Sequence, residues 1–188
     1  MEKIPLTTFH IIGYFLPGFI FIFSFFIAND HISNLPCLIK AIKELNYGIL
    51  FLTIILSLIV GIVFDAIRNG IFENILFEKK WLKKWFREMN WNFFYIATEQ
   101  KVARLYKRYF NYYVFDLNCI LSLVFSALVL DKFSSLSPSY KGLVTFIAFV
   151  IIVVLLYDAR SLREEMADIT HDNKWVSLQE KAKEEKGD

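Results

Sequence analysis

"ILFLTIILSLIVGIVF", residues 49–64, is sixteen residues without a charge. With its flanks it runs from Tyr47 to Ile67, long enough to cross a hydrocarbon layer, which takes roughly 20 residues. A surface helix of a soluble domain shows a polar face at helical period, and this stretch has none. Its only small or polar breaks are Thr53, Ser57 and Gly61.

Working outward, three further runs have the same character: Phe9 to Ala28, about Tyr112 to Leu130, and about Gly142 to Tyr157, "GLVTFIAFVIIVVLLY". The whole chain agrees with them. It has 188 residues, of which 56% are hydrophobic, and 20 are Phe. Mean hydropathy is +0.43. Soluble domains lie nearer 45–50% apolar. We therefore expect an all-α polytopic membrane protein with four transmembrane helices, about 9–28, 47–67, 112–130 and 142–157, forming a single membrane domain. The first run is longer than a cleavable signal core and lacks a small-residue cleavage pattern after Ala28, so it is expected to be retained.

Charge orients the spans. Of the 21 Lys and Arg, 17 fall in the N-terminus, segment 68–111 and the tail 158–188. Only Lys40, Lys43, Lys132 and Lys141 fall in the other two loops. Positive residues stay on the cytoplasmic side. Both termini and segment 68–111 are expected in the cytoplasm of a bacterial cell, with the spans in the inner membrane.

Segment 68–111 has helical apolar spacing at 71, 72, 75, 76, 81, 82, 85 and 86. It reads as a cytoplasmic helical hairpin turning near Asn90. Lys79, Lys80, Lys83, Lys84 and Arg87 form its basic face. That face has two readings: simple topology with Trp and Tyr at the headgroups, or a lipid- or partner-binding surface on anionic membrane. No nucleic-acid module is present, and no direct nucleic-acid partner is expected. The start of the tail is expected to continue the fourth helix.

Polar residues are costly inside spans and are functional candidates there. Asp65 and Arg68 close the second span, Asp116 and Asn118 open the third, and Asp158 and Arg160 end the fourth. The topology places them at similar depth. They either pair locally and fix helix depth, or form an interhelical cluster or an ion-filtering ring in an oligomer. Ser57-x-x-x-Gly61 and Ser122-x-x-x-Ser126 are small-residue spacings that permit close helix approach and self-association. In the first span, Gly13, Pro17 and Gly18 mark a candidate kink. Pro17 removes the hydrogen bond to the Gly13 carbonyl, and hydrocarbon cannot replace it. The kink serves either close packing of a neighbour or flexing, and the open question is whether the Gly13–Gly18 face meets protein or lipid.

Catalytic signatures are absent: no phosphate loop, no G-x-S-x-G, no H-E-x-x-H, no Cys-x-x-Cys. Glu164, Asp168 and His171 share a helical face, but one such stripe falls short of a metal site. Arg163 and His171 are separated by seven residues, outside the four-to-six spacing of the HEPN ribonuclease signature. No catalytic residue, metal or cofactor is expected.

Three stretches carry a resemblance: "GYFLPGF" at 13–19, "GIVFDAIRN" at 61–69 and "KRYFNYYVFDLN" at 107–118. Together they resemble small four-pass bacterial membrane accessory and effector proteins of antiviral systems, including the type VI-B CRISPR-associated membrane accessory proteins. The resemblance implies a non-enzymatic, self-associating membrane protein that perturbs the membrane or regulates a cytoplasmic partner such as a nuclease. It implies no catalytic residues. An ion channel or transport subunit, and a membrane scaffold, are the alternatives.

Overall fold

The computed structural model describes residues 8–29, 35–44, 46–70, 86, 102, 105 and 109–171. These form five helices: α1 Thr8–Asn29, α2 Leu35–Glu44, α3 Tyr47–Ile67, α4 Asn111–Phe133 and α5 Pro138–His171. No strand occurs among the described residues. The hairpin residues Lys79, Lys80, Lys83, Lys84 and Arg87, and the tail beyond His171, lie outside them.

Three apolar helices have membrane-spanning length: α3 with its extension to Gly70, α4 and α5, at 24, 23 and 34 residues. That length and composition mark a membrane protein. In α1 the apolar stretch is Ile12–Ala28. Large apolar side chains line the outside of α3 and α5, among them Phe51, Ile59, Ile62, Phe146, Phe149 and Val154, each about half exposed or more. In water such a surface would drive aggregation; in hydrocarbon it is the ordinary solvent-facing side.

α1 lies between α3 and α4, and α5 packs on the other side of α4. The central helix α4 has no polar face because it is enclosed on several sides, and it buries ten residues from Tyr113 to Leu130. Asn46 starts α3: its backbone is extended and its side chain accepts the Ile49 amide at 2.8 Å. This satisfies one of the amides that a helix start leaves open. Wider π-type turns carry α3 through Arg68–Gly70 and lead into α4 at Tyr109–Phe110.

One element was not expected from the sequence, and the fourth helix continues into the tail as expected. The loop 29–46 contains α2, whose Leu38, Ile39 and Ile42 recur at helical spacing while Lys40 and Lys43 are exposed. Pro36 sits in its first turn, where a missing amide costs nothing. The fourth apolar run is part of a much longer helix, because α5 continues unbroken from Pro138 to His171. At 1.5 Å per residue that is about 51 Å, well beyond the ~30 Å hydrocarbon core. The additional turns are not solvated rods. Ala159, Arg163, Met166, Ala167 and Thr170 are buried. Phe86, Leu105, Tyr113, Leu117, Ala159 and Met166 belong to one apolar core, so residues of segment 68–111 and the end of α5 share a packed layer.

Candidate functional site

The site is built where α3 ends and α4 begins. α1 must first be held there. Pro17 and Gly18 are buried, and α1 is helical through both. A Cβ at Gly18 would overlap the backbone carbonyl of Ser57, and one at Gly61 would overlap the carbonyl of Tyr14. The backbones of α1 and α3 therefore touch directly, with Ser57-x-x-x-Gly61 as the contact. Ser57 keeps its hydroxyl out of the way by donating to the Thr53 carbonyl at 2.7 Å. On the other side of α1, the Ser122 hydroxyl donates to the carbonyl of Pro17, and Ser126 reaches that of Ile20 at 3.5 Å. The two small-residue spacings thus grip α1 from opposite sides. Phe64 closes the junction, edge-on to Phe21 at 5.5 Å and stacked on Phe125 at 5.8 Å.

Gly13 and Gly18 do not form one face. A Cβ at Gly13 meets nothing within 4 Å. Five residues along a helix turn the side chain by about 140°, so only Gly18 points at α3. The Pro17–Gly18 segment meets protein.

Below this crossing the polar residues converge in part. Arg68 is only 2% exposed. Its Nη2 donates to Asp65 Oδ1 at 3.0 Å and to Asn69 Oδ1 at 2.7 Å, and its Nε reaches Asp65 Oδ1 at 3.3 Å. Asn118 Nδ2 crosses from α4 to the same Asp65 oxygen at 3.3 Å. One carboxylate oxygen thus binds a cation on its own helix and an amide on the next. A buried charge of this kind persists only when paired and hydrogen-bonded.

Asp116 faces the other way, as a residue two positions from Asn118 on a helix must. It is 4% exposed, and Asp158 of α5 is its charged neighbour. Among the described residues, Asp116 Oδ2 and Asn118 Oδ1 have no hydrogen-bond partner. Arg160 turns outward and binds Glu164 at 2.8 Å, a half-exposed pair on one helix. Such exposed i, i+4 pairs contribute little. The six polar candidates therefore resolve into the bonded group Asp65–Arg68–Asn118, the carboxyl neighbours Asp116 and Asp158, and Arg160 apart.

Two participants were not among the polar candidates drawn from sequence. Arg163 is buried and lies over the Tyr113 ring, 5.4 Å from its centre. Tyr113 is one turn before Asp116 and shares its α5-facing side, which is the signal that locates it. Among the described residues, no three His, Cys, Asp or Glu converge as a metal site.

Fold and site together define an α-helical membrane protein with a buried polar layer at one end of its bundle. No family model, curated protein or solved structure matches the chain.

Proposed function

We propose that this chain is a non-enzymatic, four-pass protein of the bacterial inner membrane that serves as an accessory or effector in antiviral defence. It acts by regulating a cytoplasmic partner such as a nuclease, or by perturbing the membrane. Both termini, the 68–111 hairpin and the end of α5 face the cytoplasm, and the chain self-associates.

The observation that carries this reading is the shared core of Phe86, Leu105, Tyr113 and Met166. One rigid helix, α5, runs from the apolar bundle into that layer. A partner engaging the layer touches an element continuous with the bundle, which gives regulation across the membrane boundary a physical route. The bonding of Asp65 to Arg68 and Asn118 inside one chain favours a structural latch over a ring of free carboxylates.

The test is phage challenge of cells carrying the gene with its native neighbours. Deleting this chain is expected to change plaquing efficiency at least tenfold, with restoration by the intact gene. Plaquing that is the same with and without the chain contradicts the reading. A membrane-potential dye separates the two modes of action: potential collapses on infection in the perturbing mode and is retained in the regulatory one.

A further inference from the structure

At the loop 134–137 end, α4 and α5 separate along a crevice. Its mouth is a cavity of about 600 Å³ lined by Asp131, Lys141, Gly142, Thr145 and Phe149. A second cavity of about 350 Å³ shares Asp131, Thr145 and Phe149 and continues to Val124, Leu128 and Ile152. The crevice is polar at one end and apolar along the rest.

The mouth carries both signs of charge. Lys141 Nζ uses one of its three donors on the Asp131 backbone carbonyl, at 3.0 Å. The Asp131 carboxylate makes no ion pair among the described residues. Along α5, Lys141 to Ile152 covers about 16 Å at 1.5 Å per residue. That is close to half of the ~30 Å hydrocarbon core, the depth of one leaflet.

We propose that this crevice is a binding site for a phospholipid with a zwitterionic primary-amine headgroup, phosphatidylethanolamine being the common example. The phosphate meets the free donors of Lys141. The ammonium donates to the Asp131 carboxylate. One acyl chain lies against Leu128, Phe149 and Ile152. A choline headgroup has no N–H for Asp131, and a glycerol headgroup leaves Asp131 without a cation, so both fit less well. The inference needs α4 and α5 to cross a membrane, and it is independent of any role in defence.

Gly142 supplies the discriminating variant. It lines the mouth, and a Cβ there meets nothing within 4 Å. Gly142→Leu fills the site without displacing backbone. The experiment is native mass spectrometry of the purified full-length chain, titrated with ethanolamine, choline and glycerol phospholipids of identical acyl chains. Ethanolamine lipid is expected to bind about tenfold more tightly than the other two. Asp131→Asn is expected to reduce it to the choline level, and Gly142→Leu to lower it at least tenfold with unchanged thermal stability. Equal binding of the three lipids, a preference for the glycerol lipid, or ethanolamine-lipid binding unaltered in Gly142→Leu would overturn the assignment.

Discussion

Gly61→Leu will prevent the native bundle from forming. The added side chain must begin where the Tyr14 carbonyl already lies, and Gly18 on the facing helix has Ser57 in the same relation. Backbone cannot swing aside as a flexible side chain can, so α1 and α3 must separate. Separation also pulls Phe21 from Phe64. We expect a loss of about 4 kcal/mol or more, among the largest effects of single substitutions. Gly18→Ala should lose about 2 kcal/mol or more by the same clash. Gly13→Ala is the control: its Cβ meets nothing within 4 Å, so stability should change by less than about 0.5 kcal/mol, with helix propensity in its favour. Thermal unfolding of the detergent-purified protein reads all three. A Gly61→Leu protein melting like the parent would show that the close crossing is absent.

Arg68→Leu will be the second severe variant. It removes the cation beside Asp65 and leaves that carboxylate with the single Asn118 amide. Breaking a buried pair from one side costs about 3–5 kcal/mol, because the remaining charge stays uncompensated; Asp65 keeps 20% of its side chain exposed, which places the loss toward the lower end. The double variant Asp65→Leu/Arg68→Leu removes both charges and should recover at least half of that loss. A double-mutant cycle on thermal stability measures the coupling. Additive losses would mean that the two side chains do not depend on each other. Arg160→Ala serves as contrast: its pair with Glu164 is half exposed, and its loss should stay below about 1 kcal/mol.

The apolar runs were legible because a span needs only length and an absence of charge, and both are written locally. The run from Tyr47 to Ile67 and α3 coincide for that reason. α2 was missed because ten residues give little more than two turns of pattern, and Pro36 with Lys40 and Lys43 reads as a loop. The extent of α5 is set by tertiary packing: Ala159, Met166 and Ala167 are buried against other elements, and no local signal ends the helix at Tyr157.

The polar candidates were found by cost. Charged residues near spans are rare enough to single out Asp65, Arg68, Asp116 and Asp158. Their grouping was not legible, since it depends on which side of α4 each faces. Asn118 turns to α3 and Asp116 to α5. The glycines show the same limit. Gly13 and Gly18 flank one proline, yet only Gly18 touches another backbone. Ser122 and Ser126 were noticed for their size, while their hydroxyls also serve the carbonyls of α1. Sequence spacing identifies a helix face; the partner of that face is fixed by the fold.

The proposed topology, with both termini in the cytoplasm and loop 29–46 on the other side of the membrane, is the central claim, and the chain's own two cysteines test it. Cys37 is exposed on α2, between α1 and α3, and Cys119 is buried in α4. In intact bacterial cells, a membrane-impermeant maleimide is expected to label the full-length protein once per chain, with all labelling lost in Cys37→Ser. Labelling of Cys37 that appears only after the cells are opened would place α2 in the cytoplasm and contradict the topology.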